Sequence, residues 1–135
     1  MKDIKLYINE ALQLGQNNRN KKFEEIVNKA YSDADEKSLN DKTNGSMTMD
    51  IFKQFAIDIV SAFPNDIVKV EMYNDYRSAN FGWEFYDKRN NRIHDLKWHN
   101  ARKEWQSNKE RYPISAKIDK FILDNSKNYI KNGEA

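Results

Sequence analysis

Residues 81–91 read FGWEFYDKRNN and carry two signals of a β-hairpin. The large aromatic side chains recur at every second position, at Phe81, Trp83 and Phe85. This alternation is typical of a β-strand that buries one face. The polar run at 87–91 has the length and the asparagines of a hairpin loop, so residues 92–97 are the expected returning strand.

A second alternating stretch precedes the hairpin. In residues 67–73, Val68, Val70 and Met72 share one face, and the side chains between them include Lys69 and Glu71. The period of two again predicts a strand. Together the three segments predict an antiparallel meander of three strands with one apolar face against helices.

The N-terminal half predicts three helices. Apolar residues recur at spacings of three and four over about residues 4–12, 20–34 and 48–63, which is the pattern of amphipathic helices. The third of these is the most apolar and is the expected centre of the core. Residues 38–45 are rich in asparagine, aspartate and glycine and are predicted to be a loop.

The C-terminal part predicts two further helices. Trp98, Trp105 and Tyr112 are spaced by seven, which places them on one face of a helix. Pro113 ends that helix or starts the next one, which runs to about residue 129. The expected fold is a single α+β domain over residues 1–135, with three N-terminal helices, a three-stranded antiparallel meander and two C-terminal helices.

Composition excludes several functions. The chain has 135 residues and no cysteine, which removes disulfides, cysteine-ligated zinc, iron–sulfur clusters and thiol catalysis. Only four glycines are present, and none forms a phosphate-binding or dinucleotide-binding motif. No serine stands in a nucleophile motif. The expectation is a protein that is not an enzyme and holds no cofactor.

Charge is distributed unevenly. The first 75 residues carry 10 basic and 13 acidic side chains, whereas residues 76–135 carry 13 basic and eight acidic ones. Within residues 88–111 there are eight basic and three acidic side chains. An asymmetry of this kind bears on binding partners rather than on the fold.

The segment 76–112 combines this basic charge with aromatic residues. It holds all three tryptophans and five of the six arginines. Tryptophan, tyrosine and arginine dominate the energetics of protein interfaces, and the same mixture suits nucleic acid. The predicted partner-binding residues are Arg89, Arg92, Trp98, Arg102, Lys103 and Trp105.

A protein is the expected partner, with nucleic acid as the alternative. Acidic residues such as Glu84, Asp95 and Glu104 interrupt the basic segment and would repel a phosphate backbone. An isoelectric point near 8.6 is also lower than is typical of nucleic-acid-binding domains. A third hypothesis, a metal-dependent hydrolase, would use His94, Asp95 and His99 as ligands.

The expected origin and location follow from composition as well. Asparagine and lysine each occur 17 times and isoleucine 12 times, and their AT-rich codons indicate a low-GC bacterium or its phage. With no signal peptide or membrane-spanning run, the chain is expected in the cytoplasm. It is similar in type to small phage or mobile-element accessory proteins. That resemblance implies inhibition of a host enzyme or defence complex, as anti-CRISPR proteins do.

Overall fold

The computed structural model describes residues 21–31, 33–75 and 77–131, so the predicted helix at 4–12 lies outside the described residues. Residues 21–28 are helical (α1). This helix ends earlier than predicted, because the backbone N–H of Ala30 donates to the Val27 carbonyl (3.0 Å) and that of Tyr31 donates to Asn28 (3.2 Å). These bonds to the third preceding residue tighten the chain into a turn.

Helix α2 spans Asp33–Thr43, so the prediction of a loop over 38–45 was largely wrong. The sequence signal is weak because Leu39 and Thr43 alone are fully buried on its described faces. The Thr43 hydroxyl donates to the Leu39 carbonyl (2.6 Å), which satisfies this polar group inside the core. The loop begins at Asn44 and Gly45, whose φ angles are 54° and 76°.

Helix α3 spans Met49–Ala62 and confirms the predicted central helix. Thr48 caps its N-terminus, because its hydroxyl accepts a hydrogen bond from the Ile51 N–H (3.3 Å). Phe63 ends it before Pro64. The buried face, as expected from the spacing, consists of Phe52, Phe55, Ala56, Ile57, Ile59 and Val60.

The sheet has four strands rather than three. They are β1 (Lys69–Asp75), β2 (Asn80–Tyr86), β3 (Arg92–His99) and β4 (Glu104–Lys109). All neighbours are antiparallel and the order is β1-β2-β3-β4. The first three strands confirm the predicted meander, and the predicted helix between residues 98 and 112 is wrong.

The spacing of seven between Trp98 and Trp105 has a different cause. The two residues are direct partners across β3 and β4, and their ring centroids are 5.2 Å apart. Residues 100–103 form the turn between them, with Lys103 at a φ of 53°. A four-residue turn separates the pair that closes it, His99 and Glu104, by five positions and the next pair by seven, so the spacing does not distinguish a hairpin from a helix.

Helix α4 spans Pro113–Asn125, and a 3₁₀ helix follows over Ser126–Tyr129. Proline is favourable in the first helical turn. A backbone N–H at this position would have no acceptor within the helix, so proline loses no hydrogen bond by lacking one. The helices pack on one face of the sheet. Phe52 of α3 stacks on Trp83 with a centroid distance of 4.7 Å, and the Trp83 indole N–H donates to the Phe52 carbonyl (3.0 Å). The α+β class is therefore as predicted.

Candidate functional site

Two of the six predicted binding residues are core residues. Trp98 is 0% exposed and Trp105 is 8% exposed, so neither offers a contact surface. Their polar atoms are also satisfied internally. The Trp98 indole N–H donates to Asn100 Oδ1 (3.2 Å) and that of Trp105 donates to the Tyr129 carbonyl (2.9 Å). The prediction of an exposed aromatic surface at these positions is corrected: the aromatic residues stabilise the fold.

The four basic residues do not form one patch either. Arg89 and Arg92 lie where β3 begins, whereas Arg102 and Lys103 lie in the turn after it ends. A strand rises roughly 3.3 Å per residue, so the two ends of β3 are roughly 23 Å apart. We call the turn at residues 87–91 the tip end of the sheet. We call residues 44–46, 100–103 and 130–131, which lie together, the loop end.

The tip end is closed mainly by its own residues, although Lys69 of β1 donates to Asn90 Oδ1 (2.6 Å). Asp87 Oδ1 accepts hydrogen bonds from the backbone N–H groups of Arg89 and Asn91, both at 2.9 Å. These bonds, that from Asn91 above all, lower the pKa of the Asp87 carboxyl. The exposed Arg89 side chain lies near this carboxylate, which partly offsets its positive charge.

Arg92 is neutralised on the outer, solvent-facing side of the sheet. Its guanidinium contacts Glu84 at 2.7 Å and Glu110 at 3.4 Å. Glu84 stands directly opposite Glu71 and Asp95 on its two neighbouring strands, so three carboxylates form one row. Burial raises the pKa of Asp95, as expected where a carboxyl loses hydration beside like charges. The positive charge of Arg92 therefore offsets negative charge in this row, and its guanidinium is not free to bind another anion.

The loop end differs because its lysines contact neutral groups. Arg102 pairs with Glu104 at 3.7 Å. Lys103 instead donates from Nζ to Ser46 Oγ (3.2 Å) and Asn100 Oδ1 (3.0 Å). Lys131 Nζ donates to the Gly45 carbonyl (2.8 Å). Within the described residues neither lysine forms an ion pair, so neither ammonium group has a carboxylate partner in this part of the chain.

Asn100 holds the loop end together. Its Oδ1 accepts from Ser46 Oγ (2.7 Å) in addition to the bonds from Trp98 and Lys103. Its backbone N–H donates to Asn80 Oδ1 (3.2 Å) at the start of β2. One side chain thus joins the α2–α3 loop, the β3–β4 turn and the core, which fixes the positions of the polar groups around it.

A cavity of about 450 Å³ opens between these segments. A volume of this size falls in the range of small-molecule sites. Its described lining contains no carboxylate and consists of Asn44, Gly45, Ser46, Trp98, Lys103, Ile130 and Lys131. Trp98 and Lys103 were predicted site residues. Sequence reasoning missed Ser46, Asn100 and Lys131, because only the loop at 44–45 had a local signal and no pattern placed it beside residues 103 and 131.

The three residues of the hydrolase hypothesis do not converge. His94 is fully buried on the helix-facing side of the sheet, while Asp95 and His99 belong to the opposite face. Both ring nitrogens of His94 are occupied, Nδ1 by Ser115 Oγ (2.7 Å) and Nε2 by Ser107 Oγ (2.6 Å). Within residues 21–31, 33–75 and 77–131, no three histidine or carboxylate groups are arranged to hold a metal ion.

Burial dominates the chemistry of His94. It lowers the pKa of the imidazole from 6.5 to about 4, against a smaller opposing effect of the Asp119 carboxylate. The imidazole is therefore neutral near pH 7. It joins β3 to β4 through Ser107 and to α4 through Ser115.

The chain matches no protein-family model, no curated protein and no solved structure. Among the helices that the structure describes, none has the length and apolar character needed to cross a bilayer.

Proposed function

We propose that the chain is a non-catalytic protein that binds another macromolecule, and that the loop end is its contact surface. The observation that carries the proposal is the pair of lysines, Lys103 and Lys131, held beside a cavity without a carboxylate in its described lining. The other basic residues named from the sequence lie near acidic groups. Uncompensated charge steers association and selects partners of opposite sign.

A protein is the partner we propose. Arg102 pairs with Glu104 beside the lysines, and Asp75 ends β1 at the same end of the sheet, with β2 between it and β3. Carboxylates near the lysines would repel the many phosphates of a nucleic-acid backbone but leave room for one anionic group on a protein. An inhibitory role against a bacterial enzyme or defence complex is the form of binding we propose. This proposed role is supported by the small size of the chain and by its many asparagine, lysine and isoleucine residues, whose codons are AT-rich.

Charge reversal at the two ends of the sheet tests this proposal. Tagged wild-type protein and two variants are used to capture proteins from a low-GC bacterial lysate, and retained proteins are quantified by mass spectrometry. One variant is Lys103→Glu with Lys131→Glu. The matched control is Lys88→Glu with Arg89→Glu, which changes the net charge equally at the tip end.

We expect proteins that the wild type and the control retain and that the loop-end variant loses. Equal retention by all three baits would contradict the proposal. Retention that disappears after nuclease treatment would support the nucleic-acid alternative instead. In that case the logarithm of affinity should fall with the logarithm of salt concentration by about 0.9 per phosphate contact on duplex DNA.

A further inference from the structure

We propose that the loop-end cavity is a binding site for a phosphate monoester. This inference deepens the proposed function, because it names the chemical group that the loop end recognises. The site is built from Lys103 and Lys131, which contact Ser46 and Gly45 of the α2–α3 loop. The argument rests on the charge, the donor groups and the fixed backbone of this cavity.

The two ammonium groups retain donor capacity. A lysine ammonium has three N–H donors. Lys103 uses two of them on Ser46 and Asn100, and Lys131 donates to the Gly45 carbonyl. All these acceptors are neutral, so bringing in an anion breaks no ion pair among the described residues. The anion would neutralise both charges.

The two lysines flank one short segment of backbone. Lys131 Nζ lies 2.8 Å from the Gly45 carbonyl oxygen, and Lys103 Nζ lies 3.2 Å from the hydroxyl of the next residue, Ser46. A Cβ built on Gly45 would stand 3.9 Å from Lys131 Nζ. The two ammonium groups therefore contact adjacent residues, one at the Gly45 carbonyl and the other at the Ser46 hydroxyl, and a small dianion in the cavity could contact both.

The backbone around the cavity is fixed in an uncommon conformation. Asn44, Gly45 and Lys103 have φ angles of 54°, 76° and 53°, all in the left-handed region. A lysine in this region costs about 1–2 kcal/mol relative to right-handed backbone. The hydrogen bonds of Asn100 hold the β3–β4 turn in this conformation. Residues kept in such conformations cluster at ligand-binding sites.

The donor set favours phosphate over carboxylate. Arginine, with its planar fork, is the residue that matches a planar carboxylate in two parallel hydrogen bonds. Here the cations are two compact ammonium groups, and the Ser46 hydroxyl is already engaged, because it accepts from Lys103 Nζ and donates to Asn100 Oδ1. Point charges approaching from different sides suit a tetrahedral dianion, and a phosphate monoester carries close to two negative charges at pH 7.

Nuclear magnetic resonance titration of the full chain tests the proposal. Backbone amide shifts of Gly45, Ser46 and Lys103 are followed at constant ionic strength with three probes. These are inorganic phosphate, a short phosphoserine peptide and a nucleoside 5′-monophosphate, each compared with chloride. We expect saturable shifts at these residues, with a dissociation constant on the order of 1 mM for inorganic phosphate.

The comparison among the probes identifies the source of the group. Tighter binding of the phosphoserine peptide would assign the site to a phosphorylated side chain of a protein partner. Tighter binding of the nucleoside monophosphate would assign it to a free phosphate monoester. Shifts that chloride reproduces, or that do not saturate, would overturn the proposal.

Charge-neutral variants provide the second readout. Lys103→Met with Lys131→Met removes both charges while keeping most of the unbranched side chain, and it should weaken phosphate binding at least tenfold. Lys88→Met with Arg89→Met at the tip end should leave it unchanged. An amide spectrum that retains its dispersion shows that each variant is folded. Equal phosphate affinity in both variants would overturn the proposal.

The two proposals fail in different ways. If phosphate binds but charge reversal leaves capture unchanged, the site exists and the proposed function is wrong. If capture depends on the loop end but no phosphate probe binds, the proposed function stands and the assignment of the ligand is wrong.

Discussion

The two turns at opposite ends of β3 are built in different ways. The tip end at 87–91 is closed by one side chain of its own, since Asp87 accepts two backbone N–H groups of the same turn. The loop end uses Asn100 to reach the α2–α3 loop, β2 and the core. A turn that is closed by its own carboxylate depends little on other segments, and here the one such contact is from Lys69 to Asn90 among the side-chain hydrogen bonds of the described residues. A turn that depends on distant segments brings their groups together, and the cavity at the loop end is lined by three such segments.

The largest difference between the two ends should come from the core beneath them. Trp98→Ala removes a fully buried indole at the loop end and should lower the free energy of unfolding by about 4 kcal/mol. Arg89→Ala at the tip end removes an exposed side chain and should leave it unchanged. Urea denaturation followed by far-ultraviolet circular dichroism measures both. A small effect of Trp98→Ala would show that this indole is not a core residue.

Lowering the pH should weaken the contacts through which His94 holds β4 and α4 together. The folded pKa of His94 is about 4 and the unfolded value is 6.5, so the neutral imidazole contributes stability that is complete above pH 6.5. This contribution is lost as the pH falls from 6.5 towards 4. The difference of about 2.5 pKa units corresponds to about 3 kcal/mol. Denaturation across this pH range measures the slope.

His94→Gln is the matched variant for this slope. Glutamine retains polar atoms for Ser107 and Ser115 but has no proton to gain. We expect lower stability at pH 7 and a shallower slope between pH 6.5 and 4. Hydrogen exchange at pH 4.5 should show β4 and the start of α4 opening before residues 44–46. An unchanged slope would contradict the assignment of the transition to His94.

Substitution of Asn100 should reveal a further difference in stability between the two turns. Asn100→Ala leaves the indole N–H of Trp98 and the hydroxyl of Ser46 without this acceptor, which should cost about 2 kcal/mol. Asp87→Ala at the tip end should cost less, because its backbone partners can turn to water. Urea denaturation of both variants gives the ranking. The reverse order would show that the tip end is the more strongly held turn.

The smallest expected effect concerns the left-handed residues. Lys103→Gly removes the side-chain penalty at a φ of 53° and should raise stability by about 0.5 kcal/mol, after the greater entropy of unfolded glycine is subtracted. Asn90→Gly, at a φ of 64°, should give no gain, because asparagine tolerates this region. Thermal unfolding of the two variants compares them. A loss of stability in Lys103→Gly would mean that its Nζ contacts outweigh the backbone penalty.

The sequence predicts those elements whose own residues repeat with a clear period. The alternation in β2 and the apolar face of α3 were sufficient to place both elements. Helix α2 was missed because, among its side chains that the structure describes, only Leu39 and Thr43 are fully buried, so its stability comes from contacts with other segments. Strand β4 was missed because a spacing of seven fits a helix and a four-residue turn equally well.

The candidate site was predictable only in part. Lys103 was named from the abundance of basic residues, but Trp98 and Trp105 were interpreted as surface because composition does not report which face is buried. The separation of Arg92 from Lys103 depends on the strand between them. The approach of Lys131 to Gly45 joins positions 86 residues apart, and no local pattern encodes such a contact.

The strand order β1-β2-β3-β4 also bears on how the chain folds. Each strand pairs with the one next to it along the chain, through connections of only a few residues. Closing short loops costs little entropy, and chains whose contacts are close in sequence reach the native state quickly. We therefore expect refolding of this sheet to be faster than in β-proteins of similar size whose strands pair across long connections. Such speed shortens the time during which unpaired strand edges are open to aggregation.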